Sequence, residues 1–263
     1  MSYKKILSLD EKIKYLHDNK KIRFNIIKED EAKEILLHNN YINVITPFKD
    51  RFCEGGKKDK NTNKHIYKSE IDFSEYYTLY QEEIERSKIM LHNILLFERQ
   101  FNAIYSYYIL QHFKIEDDNN FDNYILFLKT KCQHGHVNPL IKNENQAKKI
   151  IENIEKLESD FYDYKNIFVT LDRVSIGTLK DLYICSPEEV QKKVFKEMSK
   201  SKKVFGTTNY YDFIEKLFDI VGIRNVLAHN NSISIFIKYY NVKGNILRKN
   251  KKSILSIIKD LQK

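Results

Sequence analysis

The chain has 263 residues, and its seven glycines and three prolines are too few for the many turns of a β-sandwich or barrel. A formal net charge of +9 favours an anionic partner, with nucleic acid ranked before an anionic membrane. An AT-rich genome, which places lysine at exposed positions, would account for part of this excess of positive charge. Three widely separated cysteines predict no disulfide framework, and the sequence shows neither a signal peptide nor a bilayer-length apolar stretch, so we expect a cytoplasmic protein.

Residues 1–70 are predicted to form a helical extension with a basic loop. The sequence Ser8-Leu9-Asp10-Glu11 is a capping box that opens a helix reaching about His17. A second short helix is predicted over residues 29–38. Glycines and lysines dominate residues 50–70, which we interpret as a solvated loop.

Residues 71–263 are predicted to form the main helical domain, so the expected fold class is all-α. The longest helix should run from about Phe73 to Phe113, because apolar residues cover most of its surface. Alternation at 232–235 and a turn-like sequence at 242–245 permit a small β-hairpin near the C-terminus. The remaining helices are expected at 121–130, 145–164, after a capping box at Ser186, after a cap at Thr207 or Thr208, and from about Lys251.

Two polar groups in this domain need an explanation. Glu98 falls on an apolar stripe of the longest helix, where a carboxylate requires a partner. A pair with Arg224 and an ordinary intrahelical or surface pair both satisfy that requirement. The second group, Cys132, His134 and His136, suggests zinc, but no second ligand pair stands at conventional spacing, so we predict a polar turn and no metal or cofactor.

The stretch with the clearest chemistry is Arg224-Asn225-Val226-Leu227-Ala228-His229, near the end of a predicted helix. Arginine offers a permanent forked charge for a phosphate, and histidine exchanges a proton near neutral pH. Asn225 and His229 share a helix face, whereas Arg224 and His229 are about 140° apart on an ideal helix. This combination suits cleavage of RNA without a metal.

The spacing alone is weak evidence, because the chain contains a second match from Arg86 to His92. We interpret that match as a decoy, since Ser87 replaces the asparagine and the residues are in mid-helix. A structural interpretation of the first match also stays open. In it, Arg224 only pairs with Glu98, and His229 only caps the end of a helix, where a cation is favourable.

Several segments resemble the bacterial Abi proteins of the AbiD/AbiF type. The similar segments occur in the family's order and span most of the chain: the helices that begin at Ser8 and near Glu31, Asn40-Tyr41 followed by Pro47-Phe48, Leu96-Phe97-Glu98-Arg99, Ser175-Ile176-Gly177-Thr178-Leu179, and Arg224 to His229. Two departures from the family pattern are the degenerate Tyr41–Thr46 segment and the strand-like region after His229.

The resemblance implies a HEPN-type helical bundle, abortive-infection defence against phage, and metal-independent endoribonuclease activity. Arg224, Asn225 and His229 would then be the catalytic motif, with Glu98 as an orienting residue. The alternative is a non-catalytic scaffold that binds RNA or a regulatory partner, with a structured noncoding RNA among the candidates. Because Arg224 and His229 of one chain do not converge on one phosphate, we also expect a homodimer with a composite site.

Overall fold

A computed structural model describes most of the chain, with residues 55–58 and 251–254 described by backbone only. The described residues are 7–59, 65–67, 70–115, 118–132, 140–141, 143–201, 205–229, 232–234 and 251–262.

The described chain is predominantly helical, which confirms the all-α prediction. The helices are α1 (Leu9–Lys20), α2 (Glu29–Asn39), α3 (Tyr41–Val44), α4 (Phe73–Phe113), α5 (Asp118–Lys131), α6 (Glu144–Tyr164), α7 (Ile167–Asp172), α8 (Ile176–Cys185), α9 (Glu188–Lys200), α10 (Tyr210–Ala228) and α11 (Lys251–Leu261). The strands are short: β1 (Ile22–Arg23), β2 (Cys53–Lys58), β3 (His65–Tyr67) and β4 (Ile71–Asp72). Within the described part of the chain, no helix combines the length and apolar character needed to cross a bilayer.

The chain divides into two compact units. Unit 1 comprises Met1–Ile89 and Val226–Lys251, and unit 2 comprises Met90–Asn225 and Lys252–Lys263. The three boundaries fall inside the helices α4, α10 and α11. The domain boundary predicted from the sequence, between residues 70 and 71, does not coincide with these boundaries, and the predicted division into 1–70 and 71–263 stays a prediction.

Unit 1 has a core in which α1, α2 and α3 pack with the start of α4. The Ser8 capping box is present, because the Glu11 N–H donates to Ser8 Oγ and the Ser8 N–H donates to Glu11 Oε2. Strands β1 and β4 pair in parallel. The residues buried between these elements are apolar: Ile13, Leu16, Ile22, Ala32, Ile35, Leu36, Val44, Ile45, Phe48, Ile71, Phe73 and Tyr76.

The prediction of a continuous loop over 50–70 is wrong for its described residues. Strands β2 and β3 pair antiparallel, with Cys53 opposite Tyr67. Both of these side chains are buried, so the ladder is anchored at this end although glycine and lysine dominate the sequence between them. Such a stretch carries no alternation that would reveal a strand.

Unit 2 is built around the aromatic side chains of α4. Phe101 packs edge-to-face against Tyr183 of α8 and Phe213 of α10, with ring centroids 5.2 and 6.0 Å apart. Edge-to-face contacts of this kind are favoured by the ring quadrupoles. The predicted limits of the longest helix, Phe73 and Phe113, are confirmed.

Two predicted helix caps in unit 2 are wrong. Ser186 does not cap α9; its buried hydroxyl donates to the Leu182 carbonyl oxygen and lies 2.8 Å from the Tyr105 hydroxyl. The cap of α10 is Asn209, whose Oδ1 accepts from the Asp212 N–H, rather than Thr207 or Thr208. Packing decided the first case, because the Ser186 hydroxyl is used in the core. In the second case asparagine is a better N-cap residue than threonine.

The predicted C-terminal hairpin lies mostly outside the described residues. At its start, Ile233 and Ser234 are helical, which contradicts a strand at those two positions. The tail helix expected from about Lys251 is confirmed as α11, and it buries Ile257, Ile258 and Leu261.

Candidate active site

Arg224 and Asn225 lie in the last turns of α10. The helix buries one face through Ile220 and Ile223, at 0% exposure, and this leaves the two polar residues on its outer side. The side chain of Arg224 is 29% exposed, and Asn225 is exposed as well. The arginine side chain therefore remains partly open to a ligand.

The carboxylate of Glu98 faces this arginine, as one of the two sequence interpretations proposed. Glu98 Oε2 lies 3.9 Å from Arg224 Nε, which is an ion-pair distance and too long for a hydrogen bond. The other carboxylate oxygen, Oε1, accepts a 2.7 Å hydrogen bond from the backbone N–H of Ile176. Glu98 thus connects the first turn of α8 to the arginine.

Both facing atoms of this pair are otherwise unsatisfied. Glu98 Oε2 and Arg224 Nε are buried and have no hydrogen-bond partner among the described residues. A buried polar atom without a partner is costly, so such atoms mark sites of function or strain in native proteins. The pair is consequently Coulombic, and its geometry leaves hydrogen-bonding capacity unused.

The first turn of α8 is the element that orients Glu98. Ser175 is the N-cap, and its Oγ accepts from the Thr178 N–H at 3.2 Å. The helix N-terminus carries partial positive charge, which favours the carboxylate of Glu98. Gly177 lies in the same turn. A Cβ there would be 3.7 Å from Val221 Cγ1, an ordinary contact, so the space does not require glycine.

His229 comes directly after Ala228, the last residue of α10, and belongs to unit 1. Its side chain is exposed. An exposed imidazole at the end of a helix is available for proton transfer and is also placed where its cation is favourable. Asn225, the other polar residue of the motif, makes no hydrogen bond with Arg224 among the described contacts.

Sequence reasoning missed Glu83, on α4 in unit 1. Its Oε1 accepts from the Ser232 hydroxyl at 2.5 Å and from the Ser234 N–H at 3.1 Å. Nothing in the sequence distinguishes Glu83 from Glu82 or Glu85 nearby. Only the tertiary contact shows that this carboxylate holds the chain just beyond His229.

The lysine-rich face of α9 is partly neutralised. Three of its lysines pair with glutamates of the same helix at 2.8, 2.5 and 2.7 Å, namely Lys192 with Glu188, Lys193 with Glu189, and Lys200 with Glu197. Lys196 is exposed, whereas Lys202 and Lys203 are outside the described residues. The described face therefore carries less free positive charge than its sequence indicates.

The group that suggested zinc is only partly described. Cys132 is buried, and its Sγ lies 3.2 Å from Sγ of Cys185. This contact and burial raise the pKa of the Cys185 thiol. His134 and His136 lie outside the described residues, and within the described ones no group of three metal-ligating side chains occurs.

Unit 1 contains a buried cation that the sequence did not single out. Lys20 is 6% exposed, and its Nζ donates to the Tyr67 hydroxyl at 2.8 Å. The rings of Tyr15 and Tyr41 lie 6.0 and 5.6 Å from the same nitrogen. Burial, with a smaller contribution from Lys49, lowers the pKa of Lys20 to about 8.

Comparison with known proteins identifies one family. The family model described as Abi-like protein matches residues 34–234, a range that contains Glu83, Glu98, Arg224 and His229. No curated protein and no solved structure matches the chain significantly. Because the family match covers well over half of its length, the chain belongs to the Abi-like protein family.

Proposed function

We propose that this protein serves in abortive-infection defence as a metal-independent HEPN-type endoribonuclease. Membership of the Abi-like family supports the defence role. The net charge of +9 supports a polyanionic partner such as RNA. The observation that carries the nuclease proposal is Arg224, a part-exposed arginine beside a buried, unsatisfied carboxylate oxygen of Glu98, five residues before an exposed histidine.

The proposed reaction is transesterification within the RNA. The ribose 2′-oxygen loses its proton and bonds to the adjacent phosphorus, while the bond from phosphorus to the 5′-oxygen of the next nucleotide breaks and that oxygen takes a proton. The products are a 2′,3′-cyclic phosphate and a 5′-hydroxyl. Arg224 stabilises the charge on the pentavalent phosphorane, and His229 transfers protons.

This chemistry also supports the homodimer. In-line displacement places the attacking and leaving oxygens on opposite sides of the phosphorus, so a base and an acid are needed on opposite sides. One His229 per chain supplies one of these, and a second copy supplies the other in an isologous arrangement. Asn225 would then orient a catalytic side chain, and Glu98 would aim Arg224.

Substitution of His229 by alanine tests the proposal, with His92→Ala as the matched control. His92 is exposed and follows an arginine at similar spacing. Purified His229→Ala protein should lose cleavage of single-stranded RNA by about 10²-fold or more, whereas His92→Ala should not. Wild-type protein should cut RNA in the presence of chelator and leave DNA intact, since DNA lacks the attacking hydroxyl. Unchanged cleavage by His229→Ala would overturn the proposal.

The alternative is a scaffold that binds RNA or a regulatory partner without cutting it. The observation in its favour is that Glu98 already holds the first turn of α8 through Ile176, a structural task. Under this alternative, purified wild-type protein retains RNA in a binding assay and produces no cyclic-phosphate ends. Sequencing of the RNA that co-purifies with the protein would identify the substrate or a structured noncoding RNA partner. Under either alternative, we propose that the protein acts in the cytoplasm.

A further inference from the structure

The segment that follows His229 is held by a carboxylate far away in the sequence. Glu83 Oε1 accepts one hydrogen bond from the Ser232 hydroxyl at 2.5 Å and one from the Ser234 N–H at 3.1 Å. Ile233, between these two serines, is buried at 7% exposure. Two hydrogen bonds and the burial of Ile233 therefore fix residues 232–234.

These contacts restrict His229, which belongs to the same unit. Ser232 is three residues after His229, and three extended residues span at most about 11 Å. On its other side, His229 adjoins Ala228, the last residue of α10. The histidine is thus placed between a helix end and an anchored segment, although its own side chain is exposed.

The anchor uses one oxygen of the carboxylate. Hydrogen bonds to an ionised acceptor are roughly twice as strong as neutral ones. Glu83 Oε2 is buried and has no hydrogen-bond partner among the described residues. The carboxylate therefore holds residues 232–234 through the two hydrogen bonds that Oε1 accepts. Glu98 shows the same arrangement in unit 2, where its Oε1 accepts from the first turn of α8.

We propose that Glu83 is a positioning residue for His229, which it holds in register by anchoring Ser232 and Ser234. The inference rests on the proposed ribonuclease function. A displacement of about 1 Å in a catalytic group can cost about 10²-fold in rate. Loss of the anchor should therefore lower kcat without weakening the binding of RNA.

The test compares Glu83→Ala with Glu85→Ala in purified full-length protein acting on single-stranded RNA. Glu85 is a matched control, because it lies on the same helix and pairs with Lys88 at the surface. Glu83→Ala should lower kcat by about 10- to 100-fold with an unchanged KM, and Glu85→Ala should match wild type. Glu83→Gln should restore most of the activity, since an amide oxygen also accepts from both donors.

Three further measurements separate positioning from a loss of folding. Ser232→Ala removes one donor at a half-buried site and should show a smaller fall in kcat with a native circular-dichroism spectrum. The double variant Glu83→Ala/His229→Ala should be no slower than His229→Ala alone, because the anchor acts through the histidine. Amide hydrogen exchange at residues 226–229 and 232–234 should quicken in Glu83→Ala.

The outcomes distinguish this inference from the proposed function. If His229→Ala abolishes cleavage and folded Glu83→Ala keeps the wild-type kcat, Glu83 is not a positioning residue, while the nuclease stands. If Glu83→Ala slows His229→Ala further, the carboxylate acts elsewhere, and the inference is also overturned. Protein that cuts no RNA in any form overturns the proposed function and the role of Glu83 with it.

Discussion

Arg224 Nε lies 3.9 Å from Glu98 Oε2, and neither atom has a hydrogen-bond partner among the described residues. The other oxygen of Glu98 accepts from the Ile176 N–H. The two tasks of this carboxylate are separable by substitution, because glutamine retains an acceptor oxygen and removes the charge.

Glu98→Gln should therefore lower the free energy of unfolding by less than about 1 kcal/mol, since a part-exposed ion pair at this distance contributes little. Glu98→Ala should cost about 1–3 kcal/mol, because it leaves the Ile176 N–H without its acceptor. Urea denaturation measures both values. Arg86→Ala, which breaks a surface pair with Glu82, serves as the control. Equal costs for the two Glu98 variants would show that charge, rather than the hydrogen bond, is what matters.

The buried amine of Lys20 predicts a pH dependence of stability. Its pKa is lowered to about 8 from 10.5, so between these values the unfolded chain binds more protons than the folded one. The free energy of unfolding should consequently rise by about 2 kcal/mol from about pH 7 to about pH 9.5 through this group.

Lys20→Met isolates that contribution, because methionine cannot be protonated. The variant should be more stable than wild type at neutral pH. The difference in the free energy of unfolding should shrink as the pH rises toward 10.5, the ordinary pKa of a lysine amine. Chemical denaturation at several pH values below the usual tyrosine pKa provides the measurement. Parallel curves for the two proteins would contradict a lowered pKa of Lys20.

The cap of α10 offers a test of a corrected prediction. Asn209→Ala should lower the free energy of unfolding by about 1 kcal/mol, because the Asp212 N–H loses its acceptor. Thr208→Ala, one residue earlier and exposed, should change stability by less than about 0.5 kcal/mol. A larger effect at Thr208 than at Asn209 in thermal or urea unfolding would return the cap to the threonine.

The proposed composite site predicts a dominant effect of inactive subunits. Wild-type protein mixed with about a nine-fold excess of Arg224→Ala, after subunit exchange, should keep about a tenth of its cleavage per wild-type chain if the site is shared. An equal excess of Arg86→Ala protein is the control, and because that variant should itself be active, cleavage per total chain should stay at the wild-type value. If the excess of Arg224→Ala protein leaves cleavage per wild-type chain unchanged, each site is complete within one chain and the composite-site proposal is wrong.

Local sequence patterns were sufficient for most of the helices and for several of their ends. The apolar periodicity between Phe73 and Phe113 predicted α4 in full, and the Ser8 capping box marked the start of α1. Both signals lie within a few turns of one helix, so they do not depend on how the chain packs. The motif from Arg224 to His229, and the family resemblance, were visible for the same reason.

Tertiary structure alone decided which partners the polar side chains have. Glu98 meets Ile176 across 78 residues, and Glu83 meets Ser232 across 149, and no local pattern specifies such pairs. Ser186 shows the reverse case, because a sequence that reads as a cap places its hydroxyl in the core beside Tyr105. The physical reason is that a buried polar group must find a partner wherever packing brings one, so its role depends on the assembled core.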